Sequence, residues 1–582
     1  MRSFARFLVS ASIALASIMP ALSPAALAAD MSSARTDMPH TDAGGMRMIM
    51  TLPPVPPMVE RKTDKPGAPL FDGYGDHHHP ISTSNPKAQA YFDQGVRMLF
   101  AFNHPEAIRS FREAARLDPN CAMCWWGVAF ALGPNINQAM HPDATGPAWQ
   151  AVLMARALES YASPEEVAWI EAVATRYAAN PPPDRAPLDA AFAHAMRRLW
   201  TNYPQDRDAA VFAAEAMMDT QPWDLWSSDG TTPKSYATDI VSSLESVIRQ
   251  EPLHPGALHL YIHAVEASNT PERAEDAADK LEDLMPGAGH IVHMPSHIYF
   301  RVGRYADSMR VNLKAAKTDE TYAAACRAQG YLPLGFWFHD IDVLWASAEM
   351  AGNYRIAIDA AHRVVQAESS FPSARQWDGP LDTVPLTNLR FGKWQDVLAA
   401  PRPAPRWKFT VAMWLYAQAF AAADLHDFTR ATRDRAELAA MIDKNVFATD
   451  DFRGDSHARM AEIALSLVDG EIARLSGHLE QAIADFGKAR TIEAALPYGE
   501  PPSWYEPVSH LLGAALLEAG RPGDAESVYR ASLDTYRADG WALYGLAAAL
   551  EAQKKPEEAA RAREAFARAW DLADVKLASS RF

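Results

Sequence analysis

SGHLEQAIADFGKA (476–489), AGRPGDAESVYRASL (519–533) and QKKPEEAARAREAFARA (553–569) are three versions of one unit. In each, a short turn of small, polar or proline residues opens an Ala-centred amphipathic helix. The same unit recurs upstream as FNHPEAIRSFREAARLDP (102–119), VGRYADSMRVNLKAA (302–316), AGNYRIAIDAAHRVV (351–365), FGKWQDVLAA (391–400) and LHDFTRATRDRAELAA (425–440). The Ala- and Leu-rich runs between turns carry little Val/Ile alternation, so they read as helix rather than strand. A helix–turn–helix unit repeated over residues 86–576 predicts an all-α solenoid, in which each unit buries its apolar face on its neighbours.

The flanking segments read differently. Arg2 and Arg6 precede an apolar run from Phe7 to Met19, and Ala26-Leu27-Ala28 fits a small-x-small cleavage site. Residues 1–28 therefore read as a signal peptide, too short and too Pro-broken for a stable membrane span. The expectation is an exported chain in a bacterial periplasm. Residues 29–85 read as a disordered Met/Pro-rich leader. Its Met31, Met38, His40, Met46, Met48, Met50 and Met58 are possible soft ligands for copper, against the simpler reading of a polar linker. His77–His79 read as a solvated loop at the domain entrance, with a source of metal ligands the alternative, and residues 577–582 as a C-terminal tail.

Composition sets further limits. Of 582 residues, 48% are hydrophobic and 22% charged, as in a folded protein. The net charge is −17, and cleavage after residue 28 would remove two positive charges more. That balance argues against nucleic acid and anionic membranes as partners. Cys121 and Cys124 form CAMC with no following His, which excludes c-type haem attachment. In an oxidising compartment the pair is a local disulfide or a redox pair, with a structural role the simpler reading. Cys326 stands alone and reads as a buried free thiol.

The chemistry concentrates in HPGALHLYIHAVEAS (254–268), AGHIVHMPSHIYFRVGRY (288–305) and FWFHDIDVLW (336–345). His259, His263 and Glu266 are spaced i, i+4, i+7, and His290, His293 and His297 i, i+3, i+7, so each set shares one helix face. Pro295 starts or kinks a helix and puts the second spacing in question. His339 follows in the next helical stretch.

The repeated unit resembles the tetratricopeptide repeat, whose period is 34 residues. The resemblance covers most of residues 86–575, with insertions, and implies a right-handed superhelical solenoid whose first helices line a concave groove. Laying that repeat's turn on Gly303 puts His290, His293, His297 and Arg301 at groove-facing positions. Its turn alanine laid on Ala274 does the same for His259, His263 and Glu266, and its turn glycine laid on Gly352 for His339, Asp342 and Glu349. YFDQGVRMLFAFNHPEAIRSF, CAMCWWGVAFALGPNIN and LPYGEPPSWYEPVSHLLGAALLEAGR also resemble a group of exported bacterial repeat proteins. This chain departs from that group in carrying Asp340 and Asp342 where Asn and His are expected, which would shift metal choice towards harder cations.

Neutral imidazoles with one carboxylate are a first-row transition-metal set, for Zn or for Cu, Fe or Mn. The metal ligands read from the sequence are His259, His263, His290, His293, His297 and His339, in numbers that allow one ion or two. Glu266 reads as acid–base group or ligand, and Arg301 as the holder of an anionic group. HLYIH lacks the Glu after its first His and is not a zincin motif. No Gly-rich phosphate loop, nucleotide fingerprint or Ser nucleophile elbow is present, so no nucleotide cofactor is expected. His104, Asn135 and Asn137 read as turn and cap residues. Trp223, Trp226, Trp504 and Tyr505 read as core packing before an aromatic ligand wall, and Glu500 and Glu506 as flanking a loop able to face the groove. Three functions follow: a solenoid binding a peptide, protein or small ligand at a metal-bearing groove, a metal-dependent hydrolase or oxidase using the same cluster, or a metal-free interaction scaffold.

Overall fold

The computed structural model describes residues 68–325, 331–370, 382–447 and 456–582, all of one unit, Pro54–Phe582. The signal segment, the leader methionines and Cys326 lie outside the described residues.

Among the described residues the fold is all-α, with two isolated bridges and no strand. Helices pair in sequence order, each packing on the next: Pro86–Phe100 on His104–Leu117, Tyr331–Met350 on Tyr354–Ser370, Lys408–Asp424 on Phe428–Asp443. The series ends in Ser456–Leu475 with Leu479–Glu493, Ser509–Glu518 with Pro522–Thr535, and Gly540–Ala552 with Pro556–Ala569. This is a superhelical solenoid of tetratricopeptide-like helix pairs. The turns between helices are specified locally. Asn103 accepts from the Glu106 N–H, Asp206 from Ala209 and Asp427 from Arg430, each capping a helix start.

Two turn glycines set how successive layers meet. Gly303 and Gly352 end first helices with φ of +83° and +67°, which side chains disfavour. A Cβ at Gly303 would also lie 2.0 Å from the Arg537 carbonyl oxygen, and one at Gly352 would lie 2.4 Å from the Trp570 ring. The C-terminal pairs thus pack directly on the central turns, and Trp541 donates to the Glu349 carbonyl at 3.0 Å.

One core runs from Tyr74 to Tyr322 and a second from Leu386 to Ala562. Both ends of the described chain are drawn onto this body. Residues 68–85, part of the segment expected to be disordered, lie against it. Gly287 N donates to Gly73 O at 2.7 Å, the Phe71 N–H to Gln94 at 2.8 Å and the Ser82 N–H to Glu166 at 2.6 Å. Polar bonds fasten the segment beside a few apolar anchors, Tyr74 in the first core and Phe71 and Ile81 against it, too sparse to show in its composition. In the expected tail, Ser580 donates to His510 O at 2.7 Å, Arg581 pairs with Glu471, and Phe582 packs on Trp541. Cys121 and Cys124 form a disulfide at the start of Ala122–Ala131, both buried. No described helix is long and apolar enough to cross a membrane.

Candidate metal centre

Three successive first helices supply the histidines: Pro255–Val265, then Gly289–His293 continuing as Pro295–Val302, then Tyr331–Met350. Pro295 starts its helix at N1/N2, where its missing N–H costs nothing, and Met294 before it keeps right-handed helical angles. The break therefore leaves the register intact, and His293 and His297 meet one turn apart.

The cluster is buried. His259 and His293 are 0% exposed, His297 2%, and His263 and His290 4%. His259, His263 and His290 each bring a ring nitrogen within 4.8 Å of the others, and ring nitrogens of His293, His297 and His339 with a Glu500 carboxylate oxygen form a second such set. His263, Glu266 and His297 form a third such group, joining the two. Asp342 belongs to none of these groups.

The tautomers follow from the partners. His259 Nδ1 lies 2.6 Å from the Phe100 carbonyl, which only accepts, so that nitrogen carries hydrogen. His263 Nδ1 is 2.7 Å from Glu266 Oε1, and His297 Nδ1 is 2.5 Å from Glu266 Oε2 and 2.5 Å from Glu500 Oε2. Asn312 donates its amide to Ser308 O, which turns its oxygen to His293 Nδ1 at 2.6 Å. All four histidines therefore donate from Nδ1 to a carbonyl or carboxylate and leave Nε2 for another use. Metal-bound histidines show this outer-shell pattern.

The Nε2 atoms face one another. His293 Nε2 and His297 Nε2 are 2.9 Å apart, and His290 Nε2 and His259 Nε2 3.2 Å. Two neutral lone pairs at these distances repel, so a proton or a cation must sit between them. With metal–nitrogen bonds of about 2.0–2.1 Å, two ligands of one ion lie about 2.8–3.4 Å apart for angles from a right angle to tetrahedral. Without a metal, His290 must donate from Nε2 to His259. His263 Nε2 is then left buried without a partner, an uncompensated desolvation.

The electrostatics divide the cluster. Burial, with neighbouring histidines adding to it, pushes His259, His290 and His293 well below the ordinary imidazole pKa, and burial lowers His263. His297 is the exception. Burial opposes its charge, but Glu266 and Glu500 outweigh burial and raise it to about 10. Burial would raise Glu266 and Glu500, yet His297 and its neighbours hold both below the usual carboxylate range. Asp340, 3.3 Å from His293 Nδ1, is raised well above its ordinary value by burial.

Glu266 and Arg301 are both spent on internal partners. Each oxygen of Glu266 serves a histidine, and Tyr498 donates to Oε2 at 3.0 Å. Arg301 donates to the carbonyls of Glu266 and Ser268 at 2.8 and 3.0 Å, tying down the end of the first histidine helix, and lies over the Tyr498 ring. The loop carrying Tyr498 and Glu500 covers the cluster from the C-terminal half. Access remains at the edges. The His339 side chain is 32% exposed, and Trp223, at 47%, sits edge-on to His263 with φ +61°. That exposure and the unusual backbone run against the core-packing expectation for Trp223. A cavity of about 20 Å³ opens against His290, Asp319 and Tyr322, room for about one water.

A second knot escaped sequence reading. His77 Nε2, His79 Nδ1 and His254 Nε2 all approach Asp208, at 3.1, 2.6 and 2.9 Å. His254 Nδ1 caps the Ala257 N–H, so its Nε2 carries the hydrogen and donates to Asp208. Here a carboxylate answers the rings and the bonds are complete, unlike the facing Nε2 pairs. His77 and His79 are 131 and 129 residues from Asp208 in sequence, so no local spacing announces the contact.

No protein-family model matches the chain, and no curated protein does. Among solved structures, human IFIT1 dimer with m7Gppp-AAAA is 11% identical at a TM-score of 0.30, over 85% of this chain and 91% of that one. Yeast Tom70 is 10% identical at 0.28, over 85% and 93%, and the P58(IPK) TPR domain 10% identical at 0.22, over 81% and 99%. Similarity at this level carries no argument about function.

Proposed function

We propose that the chain is an exported solenoid protein whose function rests on a transition-metal centre at His259, His263, His290, His293, His297 and His339. One observation carries the reading: the Nε2 atoms of His293 and His297 face each other at 2.9 Å while the Nδ1 of each is already committed, with a second Nε2 pair, His259 and His290, at 3.2 Å beside them. The metal-free scaffold needs one imidazolium and leaves His263 Nε2 buried without a partner, and a bound ion takes up that nitrogen and the facing lone pairs together. The ligand that reaches the centre is small. Tyr498, Glu500 and Trp223 occupy the space over the cluster, which favours a small molecule over a peptide threaded along the groove. Glu266 and Arg301 act as positioning residues, orienting ligands and fixing the helix end. Export supplies the oxidising surroundings in which the Cys121–Cys124 disulfide persists.

Elemental analysis of protein made without a His tag tests the reading. Stoichiometric first-row metal is expected, reduced by more than half in a His263→Ala/His297→Ala double variant with unchanged circular dichroism. Metal-free protein that takes up none of zinc, copper, iron or manganese would refute it.

A further inference from the structure

The cluster is one arrangement made twice. His259-Leu-Tyr-Ile-His263 and His293-Met-Pro-Ser-His297 are both H-x3-H pairs, and both members are displaced by 34 residues (259 to 293, 263 to 297), the period of the repeat. The pairs therefore occupy equivalent places on successive first helices, with the His263 and His297 rings 5.3 Å apart. The next stretch of chain completes each pair: His290 joins the first and His339 the second. Glu266 lies between them, one oxygen on His263 of the first set and the other on His297 of the second.

Resting on the metal reading above, we infer that the site is dinuclear, with one copper ion in each imidazole triad and Glu266 as the positioning residue shared by both. Geometry gives the count, since each triad has its own close Nε2 pair, 3.2 Å in the first and 2.9 Å in the second. The donors choose the element. All six are imidazoles, while Glu266 and Glu500 accept their N–H groups and Asp340 lies 3.3 Å from His293 Nδ1. Of the metals that imidazole suits, zinc, copper, iron and nickel, copper is also one that thioether donors select. The soft donors of the leader sequence, Met46, Met48 and Met50 among them, suit the same ion. Asp342, which would have favoured harder cations as a ligand, is outside both triads.

The experiment is an anaerobic titration of the full mature chain, stripped with chelator, with Cu(I) against a chromogenic competitor. Two ions per chain are expected. His290→Ala and His339→Ala should each remove one ion and leave the other, a result that general unfolding does not give. After ferricyanide oxidation, each Cu(II) lies in the dipolar field of the other, so the paramagnetic spectrum should be broadened relative to the single-ion His290→Ala and His339→Ala variants. One ion per chain, loss of both ions in either single variant, a spectrum no broader than that of the single-ion variants, or displacement of both coppers by equimolar Zn(II) would each overturn the dinuclear copper centre while leaving the broader metal reading standing. Failure to bind any metal would remove both.

Discussion

Glu266→Gln is the most searching single change in the cluster. A carboxylate offers an acceptor oxygen to each of two histidines, and an amide offers one oxygen and an NH2 group that cannot accept. Either His263 or His297 must then face a donor with its own N–H. Changing an outer-shell partner of this kind costs about 10–100-fold in metal affinity, or about 1.4–2.7 kcal/mol. The amide oxygen still serves one ring, and Glu500 still accepts from His297, so the loss should fall chiefly on the His263 triad. His297 also loses one of the two carboxylates that raise it to about 10, while Glu500 remains. The assay is competition with a chelator of known affinity, reading each site separately through the His290→Ala and His339→Ala backgrounds. The amide is isosteric, so the fold should survive, and thermal unfolding checks that it does. Unchanged affinity at both sites would refute the positioning role, and a loss confined to one site in Glu266→Ala, which removes both acceptors, would refute the sharing.

Other outcomes are as specific. Asp208 is held well below its ordinary pKa of 3.8 by His77 and its neighbours against burial, and His77 and His79 are raised above 6.5, chiefly by Asp208 against burial. The carboxylate's contribution is present above 3.8 and lost as pH falls through its lower native value. The histidines' contribution is complete below 6.5 and lost as pH rises through their raised values. Residues 68–85 should therefore be best protected from hydrogen exchange between about pH 4 and 6.5 and open faster at pH 8.5, with Asp208→Asn abolishing the difference and a flat profile contradicting it. Replacing Cys121 and Cys124 with Ser opens a very short loop, which chain entropy values at about 2 kcal/mol. Metal content should not change, and a loss would place the cysteines in the site. Gly303→Ala should lower the melting temperature far more than Gly477→Ala. Both have φ +83°, but only Gly303 meets a neighbouring carbonyl, so equal effects would show that backbone strain of about 1–3 kcal/mol is the whole cost.

The repeat was legible because its signals are local. Turn residues and amphipathic spacing predict the helix pairs, and a register taken from Gly303, Ala274 and Gly352 aligns three first helices. The long-range parts were not legible. Glu500 reaches His297 across two hundred residues, and nothing in LPYGEPPSWYEP indicates which helix it covers. The ends of the chain were misjudged for a related reason. Residues 68–85 look like linker by composition, yet Asp208, Asp93 and Glu166 turn their polar side chains into anchors. The exposed, left-handed Trp223 could not be anticipated either, because hydrophobicity alone assigns tryptophan to the core.

Anomalous diffraction from crystals of the untagged protein, collected on both sides of the copper absorption edge, tests the central claim most directly. Two peaks are expected, each about 2.0–2.1 Å from Nε2 atoms of one triad, with Glu266 between the histidines that it orients. Crystals grown with excess copper that show no peak at either triad, and keep His293 and His297 about 2.9 Å apart around a shared proton, would contradict it.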